Sequence, residues 1–343
     1  MSIARPLLLE VENLRVHFRM QEGWGIGRRG VLRAVDGVSF TVTEGETLGL
    51  VGESGCGKST LGRAILRLVG VTAGKVRFAG TDLLKLSPRR KRGFRRYMQV
   101  IFQDPFGSLN PRLTVGDIVG EAMLVHRLVR SQEAMVERSR ELLSRVGLPE
   151  DALGRYPHEF SGGQRQRIAI ARALALSPRF VVADEPLAAL DVSIQTQIVN
   201  LLRALQREMG LSFLFIGHDL RMIEYLADRV AVMYLGRFVE LAPKRILFDR
   251  PVHPYTRALL AAVPIADPER NRQRIVLGGD VPNPIDPPPG CHFHPRCPEA
   301  LPACQKDRPV LDEVEPGHWV ACLRVGPGAA WLTEAVKPVA RAL

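Results

Sequence analysis

The sequence contains no run of about 18 uncharged apolar residues, the length a helix needs to cross a bilayer, so no membrane-spanning helix is expected. Its opening residues offer only a short apolar stretch, Pro6 to Leu9. That is too brief for the hydrophobic segment of an export signal, and the expectation is a cytoplasmic chain. No internal repeat recurs, so whatever machinery the chain holds is present in one copy. Acidic residues are outnumbered: 36 Asp and Glu face 47 Lys and Arg, for a net charge of +11. The densest basic block is Arg89, Arg90, Lys91, Arg92, Arg95 and Arg96, with Phe94 inside it and Tyr97 after it. No row of aromatics interleaves these cations to stack on bases, so a nucleic-acid partner is not expected. A solvated basic face, or attraction to anionic lipid headgroups, is what such a block implies. Cysteine is also scarce. Cys56 stands alone in a glycine-rich loop, while Cys291, Cys297, Cys304 and Cys322 all fall late in the chain.

Leu7 to Phe18 alternates apolar and polar side chains, a strand pattern, and a glycine-rich segment separates it from a second strand, or pair of strands, over Val31 to Val42. Thr47 to Val51 is a short apolar run ending at Gly52, as for a buried strand that feeds a turn, and helical spacing follows over Ser59 to Val69. From Thr114 to Val146 apolar residues recur three or four apart with few Gly or Pro, which predicts a helical insertion. Helices are expected over Gln164 to Leu176 and Ser193 to Met209, and strands at Phe180 to Ala183, Ser212 to Ile216 and Ala231 to Tyr234. Seventeen of the 25 prolines fall between Pro243 and Pro338. Such a density predicts a small irregular module without a regular sheet or long helices.

Two stretches carry the chemistry. Gly52-Glu-Ser-Gly-Cys-Gly57-Lys58-Ser59 fits the phosphate-binding loop, in the required strand–loop–helix context. Glycines let backbone N–H groups turn inward around an anion, and the helix that follows adds its positive end. Lys58 supplies a point charge and Ser59 a hydroxyl for Mg²⁺. Phe180-Val-Val-Ala-Asp184-Glu185 is an apolar strand that ends in two carboxylates. Asp184 suits Mg²⁺ and Glu185 suits polarising an attacking water. Alone, this pair also reads as a solvated acidic turn.

Phe160-Ser161-Gly162-Gly163-Gln164, followed by Arg165-Gln-Arg-Ile-Ala-Ile-Ala-Arg-Ala, resembles the signature motif of ABC ATPases. Gln103 matches the family's Q-loop, Leu190-Asp191 its D-loop and His218 its switch histidine, all in the expected order. Phe18 is the best match to the aromatic that stacks on adenine, with Trp24 the weaker one. The resemblance implies an α/β P-loop NTPase of ABC type. It would have a mixed core sheet, an antiparallel β subdomain, a helical subdomain and a small C-terminal module. The implied boundaries are 1–103 with 180–245 for the ATP-binding core, 104–179 for the helical subdomain and 246–343 for the module.

The mechanism implied is a head-to-tail pair of such domains with ATP between the P-loop of one and the signature of the other. Glu185, His218, Gln103 and Lys58 would be catalytic. Phe18, Gly52, Ser54, Gly55, Cys56, Gly57, Lys58, Ser59, Thr60, Gln103, Asp184, Ser161, Gly163, Gln164 and Asp191 would contact nucleotide, and Ser59, Gln103 and Asp184 would hold Mg²⁺. Two positions depart from the common pattern. Phe160 replaces Leu at the head of the signature, an apolar exchange that should not harm catalysis. Ala188 replaces Ser in the D-loop, which puts the symmetry of the two ATP sites in doubt.

Ala34-Val-Asp-Gly-Val-Ser-Phe, Phe102-Gln-Asp-Pro-Phe-Gly-Ser-Leu-Asn-Pro-Arg112, Arg155-Tyr-Pro-His-Glu-Phe160, Asp191-Val-Ser-Ile-Gln and His253-Pro-Tyr-Thr resemble the oligopeptide and dipeptide importer ATPases. Within them the pattern is nearest to the F-type ATPase, which pairs with a distinct D-type. That implies a second ABC ATPase in a heterodimer, two transmembrane permease subunits and an extracytoplasmic solute-binding protein, at the cytoplasmic face of the cell membrane. Nickel and glycoside importers share the subfamily. A non-transport ABC ATPase acting on nucleic acid and a membrane-bound regulatory ATPase are the rival readings. The cysteine spacing C-x₅-C-x₆-C-x₁₇-C differs from a zinc ribbon. Buried free thiols, zinc and an iron–sulfur cluster all remain possible for it, and the resemblance implies a [4Fe–4S] cluster with zinc as the alternative.

Overall fold

The computed structural model describes residues 5–21, 29–188, 190–263 and 277–325. Along the chain the elements are β1 (Leu7–Gln21), β2 (Arg29–Thr43), β3 (Thr47–Val51), α1 (Lys58–Ile65), β4 (Ala73–Phe78), β5 (Thr81–Asp82), α2 (Pro88–Arg95), β6 (Met98–Ile101), α3 (Pro105–Ser108), α4 (Val115–Val125), α5 (Gln132–Arg145), α6 (Gly162–Leu174), β7 (Phe180–Asp184), α7 (Val192–Met209), β8 (Ser212–Ile216), α8 (Leu220–Leu226), β9 (Arg229–Tyr234), β10 (Arg237–Pro243), α9 (Lys244–Asp249), α10 (Pro254–Ala261), β11 (Asp312–Glu315) and β12 (His318–Val320). Packing gathers them into two units. The described residues of one fall within 1–9, 41–47 and 77–217, and those of the other within 10–40, 48–76 and 218–343.

In the first unit β6, β7 and β8 run parallel, with Val182 opposite Val100 on one side and Leu214 on the other. Every residue of β7 and β8 is buried. This is the near-continuous apolar run expected of a parallel strand covered on both faces. The expected helical insertion resolves into α4 and α5. Thr114 caps the first by accepting from Asp117 N, and Ser131 caps the second by accepting from Ala134 N. Helix α6 buries Ile168, Ala169, Ile170 and Ala171. Arg89, Arg90, Lys91, Arg92 and Arg95 of the basic block lie on α2, which has no buried residue, while Arg96 follows it with its guanidinium 4.9 Å from the Tyr97 ring centroid.

In the second unit β3 pairs in parallel with β9, and β9 pairs antiparallel with β10. Strands β2, β1 and β4 lie side by side in that order. The proline-rich module departs from expectation. It carries a β11–β12 hairpin whose second strand extends the sheet along β10, with Glu240 opposite Val320. The prolines do not prevent this because Pro316 falls in the turn, followed by Gly317 at φ +75°. Pro254 likewise sits in the first turn of α10, where a missing N–H costs nothing. Beneath lies buried Glu240, which accepts from Val252 N and His253 N at 2.9 Å each and pairs with His318 Nε2 at 2.8 Å.

Candidate functional site

The phosphate loop connects β3 to α1 in the second unit. Gly52, Gly55 and Gly57 adopt φ of 152°, 77° and 107°. At two of them a side chain has no room: a Cβ on Gly52 would lie 2.2 Å from the Met233 carbonyl oxygen, and one on Gly57 would lie 2.0 Å from that of Ala34. Conformation and close approach together require glycine there. Lys58 is almost wholly buried. Its ammonium donates to the Gly52 carbonyl at 2.8 Å and the Glu53 carbonyl at 3.0 Å, with the Cys56 sulfur at 3.9 Å. A phosphate would compete for that same ammonium. Burial pushes the Cys56 thiol up, against the opposing pull of Lys58. Ser54 and Gly55 are exposed, and Ser59 and Thr60 are half-buried at the start of α1. Phe18 is half-buried on β1, and His218 is exposed after β8. Trp24 lies outside the described residues.

The carboxylates close β7 in the first unit. Asp184 is buried, and Glu185 is half-buried with its backbone N–H donating to the Ile216 carbonyl at 3.0 Å. Gln103 Nε2 donates to Glu185 Oε2 at 3.1 Å. The structure thus joins two residues 82 positions apart that sequence matching had proposed separately. Glu185 holds φ at +46°, unusual for a side chain of its size.

Ser161 and Gln164 begin α6 as a capping box. Gln164 N donates to Ser161 Oγ at 3.4 Å, and Ser161 N donates to Gln164 Oε1 at 3.0 Å. Because Ser161 Oγ accepts in this pair, its own O–H can still donate to an anion. Gly163 is buried, and a Cβ on it would lie 2.6 Å from Ile194 Cγ2 on α7. Phe160, the departure from Leu, is buried with the Arg155 guanidinium 4.4 Å above its ring. Asp191 caps α7, accepting from Ser193 Oγ at 2.7 Å and Ile194 N at 3.0 Å. These bonds, the Ser193 hydroxyl first, hold its carboxyl below the usual range. Ala188 N donates to the Glu185 carbonyl at 3.2 Å, so this D-loop position follows directly on the carboxylate turn.

The four late cysteines are free thiols in the second unit. Cys291 N donates to the Cys304 carbonyl at 2.9 Å, and Leu301 N to Cys304 Sγ at 3.4 Å. Cys322 is pushed up to about 11, by burial first and then by the other three thiols. Among the described residues, however, no group of three or more His, Cys, Asp or Glu side chains converges closely enough to hold a metal ion. This arrangement supports neither the expected [4Fe–4S] cluster nor the zinc alternative. His292 is buried, and its pKa is lowered to about 4 by desolvation first and then by Arg237 and Arg308. Sequence reading passed over Glu53, Tyr255 and Arg296, which meet at the phosphate loop. A lone Arg in a proline-rich stretch has no spacing that singles it out.

Comparison with known proteins agrees with this geometry. Residues 35–188 match the ABC transporter family, and residues 239–304 match the C-terminal region of oligopeptide/dipeptide transporters. The putative oligopeptide transport ATP-binding protein YkfD of Bacillus subtilis (strain 168) is 55% identical over 317 residues, 92% of this chain and 94% of that one. The oligopeptide transport ATP-binding protein OppF of Escherichia coli (strain K12) is 52% identical over 327 residues, 94% of this chain and 98% of that one. Among solved structures, a dimeric ATP-binding cassette in a post-hydrolysis state with ADP and phosphate aligns at TM-score 0.62 and 29% identity, covering 69% of this chain and 99% of that one. The cbiO1 subunit of a Clostridium perfringens ABC transporter complex aligns at TM-score 0.60 and 26% identity, covering 71% and 91%. Among the described residues no helix is long and apolar enough to cross a membrane. With a glycine-built phosphate loop, a capped signature helix and relatives of this similarity, the chain belongs to the ATP-hydrolysing subunits of ABC transporters, in the branch with the oligopeptide/dipeptide C-terminal region.

Proposed function

We propose that this subunit powers import of oligopeptides or dipeptides from the cytoplasmic face of the membrane. It would pair head to tail with a second ABC ATPase beneath two permease subunits fed by a solute-binding protein. The observation that carries the cargo reading is the combined match: cassette and peptide-transporter C-terminal region in one chain, with relatives above half identity along nearly its whole length. Substrate-dependent ATPase activity in the complex reconstituted in vesicles tests it. Stimulation by short peptides is expected, and stimulation by nickel or glycosides but not peptides overturns the cargo assignment.

In this reading Lys58 and the loop N–H groups hold the β- and γ-phosphates, and Phe18 stacks on adenine. Ser59, Gln103 and Asp184 offer hard oxygen donors that suit Mg²⁺, which when bound neutralises charge on the phosphates. Glu185 orients the attacking water and His218 contacts the γ-phosphate. Gln103, hydrogen-bonded to Glu185, passes the state of the γ-phosphate to the helical region. Ser161, Gly163 and Gln164 act on the partner's nucleotide, using the helix N-terminus and the hydroxyl. Asp191 fixes the start of α7. Glu185→Gln is expected to keep ATP binding while lowering steady-state turnover by at least about 100-fold, and to accumulate an ATP-bound dimer on gel filtration. Turnover near the parent rate sinks the assigned role.

Cys291, Cys297, Cys304 and Cys322 would ligate a [4Fe–4S] cluster. What supports this reading is the gathering of four soft thiol donors in one small module of a peptide-importer type chain; among the described residues their side chains do not converge as a metal-holding group. Iron and acid-labile sulfide in anaerobically purified protein are the expected result. One zinc per chain, or no metal, overturns it.

A further inference from the structure

The late part of the chain grips the phosphate loop. Arg296 ends the short turn His294–Arg296, one residue before Cys297. Its side chain is only 8% exposed and forms a forked pair with Glu53, the second residue of the loop. Nη1 donates to Oε2 at 2.7 Å and Nη2 to Oε1 at 3.0 Å. The backbone N–H of Glu53 donates to the Tyr255 hydroxyl at 2.9 Å, and its carbonyl accepts from Lys58 Nζ at 3.0 Å. Glu53 is therefore fixed at side chain, N–H and carbonyl at once.

The support behind these contacts is buried and aromatic. Tyr255 is fully buried, its ring centroid 4.8 Å from that of Tyr234 and 5.4 Å from that of Phe293. Phe293, three residues before Arg296, is 1% exposed and lies 5.3 Å from Tyr234. The Arg296 guanidinium lies 6.0 Å from the Tyr234 ring centroid. A desolvated ion pair is a weak source of net stability, and apolar side chains would join the module to the loop equally well. A forked Arg–carboxylate pair adds orientation instead.

We propose that Arg296 and Tyr255 are positioning residues for ATP binding. They fix Glu53 so that its carbonyl and that of Gly52 hold Lys58, and so that the loop N–H groups keep the curvature that receives phosphate. Arg296 falls in the region matched to the peptide-transporter C-terminus, separately from the cassette match. That region thereby completes the cassette's phosphate site. The inference rests on the reading of Gly52–Ser59 as the phosphate loop.

The test is KM for ATP against kcat, with direct ATP binding, on the full chain. Arg296→Ala is expected to raise KM and Kd about tenfold, the loss of a charge-assisted contact worth about 1.4 kcal/mol, with kcat within a factor of two. Tyr255→Phe removes one oxygen and should raise KM about threefold, on the scale of a single neutral hydrogen bond. Arg296→Lys should fall between parent and Arg296→Ala, and exchanging the charges as Glu53→Arg with Arg296→Glu should recover part of the loss. A residue that merely stabilised the fold would lower the active fraction, and hence kcat, and leave KM in place. Parent-like KM in Arg296→Lys and Tyr255→Phe overturns the proposal even if Arg296→Ala does not fold. Lys58→Ala separates the two levels. If it still binds ATP, the loop reading fails; if it loses ATP while the Arg296 and Tyr255 variants bind normally, only the positioning role fails.

Discussion

Glu185 is a carboxylate held in a backbone conformation that costs of order 1 kcal/mol or more, at φ +46°. The bonds from its N–H to Ile216 and from Gln103 to its side chain over-determine that position, as expected where a reactive group must be aimed rather than merely tolerated. Gly163 illustrates the opposite constraint, a missing side chain. Gly163→Ala would drive a methyl into Ile194, 2.6 Å away. It should cost about 1–3 kcal/mol of stability, read as a lower urea midpoint, and Ile194→Ala in the same chain should restore part of it. Failure of the second substitution to help would show that the clash is relieved elsewhere. Cys56 makes a chemical prediction. Its thiol is buried and its pKa raised, so the reactive thiolate is rarer than in a free cysteine at neutral pH. Alkylation by N-ethylmaleimide should be slow at pH 7, accelerate toward alkaline pH and be blocked by ATP. Fast, nucleotide-insensitive labelling would place the thiol outside the loop's interior.

At the scale of elements, α10 depends on a neutral imidazole. His253 Nδ1 accepts from Tyr255 N at 3.1 Å and so caps the helix only while that nitrogen is unprotonated. Burial lowers its pKa to about 4. The unfolded chain, with an ordinary histidine near 6.5, binds the proton first, so stability falls as pH drops from about 6.5 to about 4. His292, lowered to about 4 by burial as well, adds to the loss over the same window. Urea midpoints at pH 7, 5.5 and 4.5 should decline in that order, and less steeply in His253→Asn. A flat profile would contradict the buried neutral state.

The legibility of these elements in the sequence was uneven for physical reasons. Strands β7 and β8 announce themselves because both faces are buried and the run is unbroken. The span of α1 is shorter than the apolar spacing suggests because Arg67 takes φ +58° and ends the turn. The β11–β12 hairpin and α10 were hidden by proline counts, since composition does not reveal that Pro316 sits in a turn and Pro254 in a first helical turn. The candidate residues themselves were legible as motifs. The Gln103–Glu185 bond and the grip of Arg296 on Glu53 were not, because pairs 82 and 243 positions apart leave no periodic trace.

For the whole molecule, the net charge is +11, and its densest basic block lies on α2, which carries five cations and no acid and buries none of its residues. Replacing Arg89, Arg90, Lys91 and Arg92 by Glu should leave the melting temperature and ATP affinity of the full chain unchanged. It should weaken co-sedimentation with phosphatidylserine vesicles by about 1 kcal/mol per residue at low salt, with the difference vanishing at high salt. Equal binding of parent and variant at low ionic strength would make the basic face mere solvation.

The pairing of Arg296 with Glu53 also sets a timetable. Glu53 leaves the ribosome 243 residues ahead of its partner, an interval of roughly 10–50 s at ordinary rates of synthesis. Through that interval the phosphate loop exists without the group that shapes it. A nascent subunit would thus meet cellular ATP with low affinity and acquire full affinity only when its last region has folded back. If Arg296 positions the loop as proposed, a chain cut short before Arg296 is expected to bind ATP about as weakly as Arg296→Ala, which ATP titration of such a fragment checks.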